Sequence, residues 1–236
     1  MSTLRRVLAL TLAAALALSC GVRAQGAAPP SPTTLMDFAH PLDLAALPPG
    51  WRHRTFWRYR PMQISFVTHA GRPAIRLATH GTASMLFRDV DVDLDRQPLL
   101  AWGWLVEQPV VSEIDELSEA GDDHPARLYL KFLARDGQSH ALEIIWGNRK
   151  LVAGDWKYLK SFWRTQAFPH YTARGGQANV GRWLDERVDL RMLYRTQWGD
   201  PTGVRLVELA LFCDTDQTGA SSVAYFSTIR AESAAP

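Results

Sequence analysis

The stretch from Gly121 to Asn148, GDDHPARLYLKFLARDGQSHALEIIWGN, constrains the fold more than any other part of this chain. Two alternating runs flank Arg135-Asp136-Gly137-Gln138, and the Asp-Gly centre suits the tight turn of a β-hairpin. Side chains alternate across a strand with a period of two. Ala126, Leu128, Leu130 and Phe132 therefore share one face, and Arg127, Tyr129, Lys131 and Arg135 fall mostly on the other. The acidic pair Asp122-Asp123 leads in and Trp146-Gly147-Asn148 leads out. The pattern is that of a sheet core with polar groups at its rim.

Neighbouring segments repeat the alternation. In Leu99 to Glu107, Leu100, Trp102, Trp104 and Val106 share a face. In Met85 to Leu94, Val90, Val92 and Leu94 point in while Asp89, Asp91 and Asp93 point out. Further strands are predicted over Gln63–Thr68, Pro73–Thr79, Ser161–Phe168, Val204–Cys213 and Ser222–Arg230. Leu47 to Gly50 reads as a turn, and residues 109–121 as an acidic loop. From Arg182 to Trp198, Leu184, Val188 and Met192 lie four apart, which predicts an amphipathic helix ended by Gly199-Asp200-Pro201. Many short strands and one helix predict a mainly β domain over 35–232. The expected architecture is an antiparallel β-sandwich, a jelly roll like those of carbohydrate-binding modules, with a closed barrel as the alternative.

Before that domain lies an export signal. Arg5-Arg6 is followed by the uncharged apolar run Val7 to Leu18, and Val22-Arg23-Ala24 offers a cleavage site before Gln25. A second route, lipidation of Cys20 in Ala17-Leu18-Ser19-Cys20, lacks the usual leucine at Ala17. Residues 25–34 form a flexible linker. With residues 1–24 removed, 26 basic residues become 23 against 24 acids, so the apparent surplus of +2 becomes −1. A chain with that balance has no basic footprint for nucleic acid. It also has no apolar run long enough for a permanent membrane span. Periplasmic or secreted localisation is the expectation. Cys213 then stands alone in an apolar run and reads as a small buried hydrophobe.

Several motifs, in this order and spacing, resemble a family. They are Ala83-Ser84 to Asp89, LAWGW at Leu100–Trp104, the loop ending GDDHPAR, Ile145-Trp146-Gly147-Asn148, GRWLDERVDL, Asp214-Thr215-Asp216-Gln217-Thr218-Gly219 and Ala224-Tyr225-Phe226. The chain resembles, over residues 47–232, the exported bacterial domain-of-unknown-function family 3047. The resemblance implies one exported domain and brings no activity, substrate or cofactor. Typical members end near Tyr-Gly-Asp-Ile, whereas Thr228 stands at the position of that acid here.

Three constellations carry chemistry. Asp214-x-Asp216-x-Thr218-Gly219 mimics the start of a calcium loop, where a hard cation gathers oxygen ligands. The twelfth position is Tyr225 rather than glutamate, so it is not an EF-hand, and a self-bonded hairpin turn is the competing reading. Asp122-Asp123 suggests acid–base work, as in glycoside hydrolysis. Adjacent residues in an extended chain diverge, however, and a salt bridge to Arg127 competes with that reading. Trp104 and Trp146 either fill the core with Trp102 or present flat indole faces to a sugar. The expected ligand site is a rim formed by Trp104, Asp122, Asp123, Arg127, Trp146 and Asn148, with a candidate calcium site at Asp214, Asp216 and Thr218. No catalytic set and no zinc spacing appear. The function this implies is non-catalytic binding of a glycan or small polar ligand in the cell envelope. Its alternatives are a polysaccharide-acting enzyme using Asp122 or Asp123, and an envelope assembly partner.

Overall fold

The computed structural model describes residues 31–159 and 167–234. The expected export signal, Cys20, most of the expected linker and most of the strand expected at Ser161–Phe168 lie outside the described residues. In chain order the first strands are β1 (Thr33–Met36), β2 (Trp51–Thr55), β3 (Gln63–His69), β4 (Arg72–His80), β5 (Ser84–Asp93), β6 (Leu99–Gln108) and β7 (Arg127–Leu133). They are followed by β8 (Ser139–Gly147), β9 (Trp156–Leu159), β10 (Phe168–Gly175) and β11 (Leu184–Asp189). Helix α1 (Leu190–Trp198) then precedes β12 (Arg205–Phe212), β13 (Ser221–Phe226) and β14 (Ile229–Glu232).

These strands form two seven-stranded sheets. One runs β1-β14-β6-β13-β4-β3, with β11 also paired to β6; the other runs β2-β5-β12-β7-β8-β10-β9. Every pairing is antiparallel except β8 with β10, which is parallel. At the end of that parallel pair Gly147 and Gly175 meet Leu151. A Cβ on either glycine would lie 2.4 or 2.5 Å from the Leu151 carbonyl oxygen, so the loop that follows β8 can close down on the sheet only because both side chains are missing. β1 begins at Thr33, paired to Ala231, so the last two linker residues belong to the sheet.

The central hairpin has the expected register, with Leu130 opposite Leu142 and Leu128 opposite Ile144. Ala126, Leu128, Leu130 and Phe132 all face one core between the sheets. Trp102, Trp104 and Trp146 meet there edge to face, with Trp104 centred 5.2 Å from Trp102 and 5.6 Å from Trp146. Large aromatics removed from water contribute several kcal/mol each at about 25 cal/mol per Å².

The helix expected over Arg182–Trp198 is half strand. Residues 184–189 pair with β6, Leu184 opposite Trp104 and Asp189 opposite Leu99. Glu186 is buried there and accepts from the Trp104 indole N–H (3.1 Å) and from Arg174 Nε (2.8 Å). Asp189 then caps the true helix by accepting from the Met192 amide (3.0 Å), which satisfies one of the unpaired N–H groups of the first turn. No described helix is long and apolar enough to cross a membrane.

Candidate functional site

The outer face of the second sheet carries a cleft of about 460 Å³. Its floor is the polar face of the hairpin and the strands beside it. Arg127 and Glu143 are diagonal neighbours on β7 and β8, His170 lies opposite Glu143 on β10, and Phe212 lies opposite Arg127 at the end of β12. The residues that follow β12 bring in Asp214 and Asp216, and the loop before β7 brings in Asp122. The segment after β2 supplies Phe56, Trp57, Arg58 and Tyr59 as one wall, and Phe168 stands on the other. Trp57 is 95% exposed, which is unusual for so large an apolar group.

Arg127 organises the floor although it is only 2% exposed. Its Nε donates to Glu143 (2.8 Å). Nη1 donates to the Asp122 carbonyl (2.6 Å) and to both oxygens of Asp214 (3.1 and 2.9 Å), and Nη2 donates to the Asp122 carboxylate (3.1 Å). Its guanidinium carbon sits 4.7 Å from the Phe212 ring centre. A guanidinium can only donate, so Nε2 of His170 accepts from Arg127 (3.0 Å) and its Nδ1–H donates to the Phe168 carbonyl (3.1 Å). Lys157, also buried, donates to Asp122 (2.7 Å) and faces Nε2 of His124 (3.3 Å), whose Nδ1–H donates to the Trp146 carbonyl (3.0 Å).

This network pushes its acids apart. Burial raises every carboxyl here, but for Asp122 the charge of Arg127 and the histidine contacts more than offset it, holding Asp122 well below the usual range. Glu143 is likewise lowered, with the charge of Arg127 overcoming burial. Asp214 goes the other way. Burial and repulsion from Asp123, Asp122 and Asp216 raise it well above the ordinary value despite Arg127. Asp216 is pushed up to about 6 by burial and by Asp123. Burial, then the nearby cations, lowers His124 to about 4. Sites built of carboxyls with such divergent proton affinities are frequent at functional positions and also occur in structural ion networks.

The expected residues divide into three groups. Asp122 and Arg127 line the cleft, as do Asp214 and Asp216. Asp123 and Asn148 stand behind it. The fully buried Asp123 carboxylate accepts from the Gln217 amide (3.3 Å), the Thr218 amide (2.7 Å) and the Thr218 hydroxyl (2.5 Å), so it fastens the turn after β12, while Asn148 donates to the Asp123 carbonyl (2.7 Å) and opens on a separate, smaller hollow. Trp104 and Trp146 are 0% and 1% exposed. They lie on the core faces of their strands and cannot stack on a ligand; the aromatic side chains that line the cleft are Phe56, Trp57, Tyr59, Phe168 and Phe212.

The candidate calcium site changes membership. Asp123, Asp214 and Asp216 each bring a carboxylate oxygen within 4.8 Å of the others. The Thr218 hydroxyl donates to Asp123, which ties it to this cluster. Arg127 already lies on Asp214, and backbone amides on Asp123, so the charge of this cluster is partly met by the protein itself.

Two further clusters are structural. Glu116 is buried in the acidic loop and accepts from the amides of Asn148 (2.8 Å), Arg149 (3.1 Å) and Leu151 (2.8 Å). Burial raises its proton affinity, the amides more than offset that, and the loop is tied down as a result. Ser84 Oγ bonds Nε2 of His53 (2.9 Å) and accepts from the Met62 amide (3.1 Å). Ser84 is fully buried and no carboxylate orients His53 among the described residues, so the pair joins β2 to β5 rather than forming a nucleophile.

Sequence reasoning missed Glu143, His170, Lys157, His124 and the 56–59 wall. Glu143 alone left a signal, as the one acid in the apolar run HALEIIWG on the strand across the hairpin from Arg127.

A family model described as a protein of unknown function, DUF3047, matches residues 49–230. No curated protein matches the chain. Among solved structures, the family 30 carbohydrate-binding module of a Clostridium thermocellum cellulosomal cellulase aligns with a TM-score of 0.45 and 11% identity, covering 87% of this chain and 99% of that one. Endoglucanase Cel12A from Rhodothermus marinus aligns at 0.44 and 10% identity, covering 78% and 92%. The xyloglucanase domain of NopAA from Sinorhizobium fredii, in complex with cellobiose, aligns at 0.44 and 11% identity, covering 78% and 93%. At such values nothing about ligand or activity transfers, and the cleft stands on its own residues.

Proposed function

We propose that this chain, which belongs to the DUF3047 family, is an exported envelope protein whose cleft binds a glycan or comparable polyhydroxylated small ligand without transforming it. One observation carries the reading. A cleft of about 460 Å³ sets exposed aromatic side chains, Trp57 and Tyr59, beside a floor of fixed carboxylates and a guanidinium. Sugars present apolar ring faces and hydroxyl edges together, and recognition of that kind needs flat apolar walls with a few placed polar groups. Export rests on Arg5-Arg6 and the apolar run after it.

The test is direct binding on an immobilised glycan panel with the protein and its Trp57→Ala and Tyr59→Ala variants. Loss of binding by at least about tenfold in either variant supports the site. Binding that both variants retain removes the cleft from consideration.

A second reading is hydrolysis. It is favoured by Asp216, whose carboxyl holds its proton up to about pH 6 and lines the same cleft as the ionised Asp122 and Glu143. Asp123, fully buried under the turn it fastens, takes no part in it. Release of reducing ends from any bound glycan, abolished by Asp216→Asn, would favour this reading over simple binding.

A further inference from the structure

Among the described residues, acids outnumber cations around the cleft. The floor and the layer behind it hold Asp122, Asp123, Glu143, Asp214 and Asp216 against Arg127 and Lys157, and Arg58 adds one cation on the wall, over Trp57. Arg127 and Lys157 are committed. Arg127 binds Asp122, Glu143 and Asp214, and Lys157 binds Asp122. Asp216 forms no ion pair with any described lysine or arginine. Its polar neighbours are Tyr59 and the Gln217 amide, which donates at 3.2 Å with its nitrogen turned toward the acids. Glu119 adds a further acid at the rim.

The walls favour the same sign of ligand. Three aromatic rings of this cleft already hold a guanidinium over a face: Arg127 on Phe212 at 4.7 Å, Arg54 on Phe56 at 5.2 Å and Arg58 on Trp57 at 5.5 Å. Ring faces are the negative pole of the aromatic quadrupole and attract cations. Trp57 is nearly fully exposed and Tyr59 is 38% exposed, so ring surface is left for a ligand.

We infer that the cleft selects a ligand bearing a positively charged amine next to an apolar ring face, an amino sugar with a free amine, with its ammonium placed at Asp216 and its ring against Trp57 or Tyr59. The inference rests on the binding function proposed above and adds the ligand's charge to it. A neutral sugar would leave the surplus acid unmet. An acidic sugar would be repelled by it, because like charges brought together in a partly dry site oppose association.

The experiment is calorimetric titration of the protein with three oligosaccharide series of equal length: glucosamine, N-acetylglucosamine and glucose oligomers, at a pH just above 6, where Asp216 has given up its proton and the sugar amine still carries one. The glucosamine series is expected to bind at least about tenfold more tightly than either neutral series, and to weaken with added salt. Asp216→Asn is expected to erase that preference. Equal affinity across the three series, or a preference that survives in Asp216→Asn, overturns the charge selection while leaving glycan binding in place. No binding of any series defeats this inference and weighs against the binding function beneath it. The comparison of ligands on the unaltered protein needs no variant to fold.

Discussion

Replacing Arg127 by methionine should cost about 3–5 kcal/mol of stability at neutral pH. The figure follows from what the side chain leaves behind. Asp122 keeps Lys157 as a partner at 2.7 Å. Asp214, raised well above the usual range by burial and by the acids around it, loses its Arg127 contact at 2.9 Å. Glu143 is the group orphaned as a charge, at 6% exposure with Arg127 as its main partner. Breaking one buried pair from one side has the cost given above. For a domain of this size it corresponds to a fall in Tm of roughly 6–20 °C.

The cost of that substitution has a pH signature. In the parent protein Asp122 and Glu143 are held below their unfolded values, so their contribution is present above about pH 4 and lost as pH falls through the folded values. In Arg127→Met the orphaned Glu143 titrates above its unfolded value, and folding then takes up a proton. The gap between the two proteins must narrow toward about pH 5. Urea unfolding followed by tryptophan fluorescence at both pH values measures it, and Glu143→Gln in the variant background should recover about half of the loss. A cost under about 1 kcal/mol, or one that grows as pH falls, would refute the account of Arg127 as the compensating charge.

Other outcomes follow from the same geometry. Trp146→Ala should destabilise by about 3–5 kcal/mol and leave ligand affinity unaltered in the fraction that folds, because the indole fills the core; thermal melts beside binding isotherms read both. His124 titrates near 4 when folded and near 6.5 when unfolded, so its contribution is present above about pH 6.5 and lost as pH falls toward 4, while Asp216 acts in the opposite direction between about 4 and 6. Asp216→Asn should therefore make stability climb more steeply with pH over that window, which denaturant midpoints across a pH series would show. Asp189→Ala removes the cap of α1 and should cost about 1 kcal/mol by the same melts. If the Asp123–Asp214–Asp216 cluster takes calcium, Tm rises with millimolar calcium in the parent and not in Asp123→Asn; a calcium-independent Tm leaves the cluster as a proton-sharing group.

The hairpin was legible because alternation and an Asp-Gly turn are both local, and together they fix which face each residue takes. The same rule placed Trp104 with Leu100 and Val106, and so in the core; reading it as a sugar platform weighed its chemistry above its face. The misreading at Arg182–Asp189 has a simple origin. Residues four apart share a face in a helix and in a strand alike, so Leu184 and Val188 fit both, and Glu186 counted as polar although it points inward to Trp104 and Arg174. The cleft was only partly visible because its parts are far apart in the chain: Arg127 meets Asp214 across 87 positions and His170 across 43. The parallel pairing of β8 with β10 that brings His170 to Glu143 has no local signature.

The measurement that bears most directly on the central claim is quenching of tryptophan emission on titrating the protein with glycan oligomers, compared with Trp57→Phe. The account predicts saturable quenching in the parent that is lost in the variant, because among the described residues Trp57 is the exposed indole at the cleft while Trp104 and Trp146 are sealed in the core. Saturable quenching of equal depth in both proteins would contradict it, as would emission that no glycan alters in either.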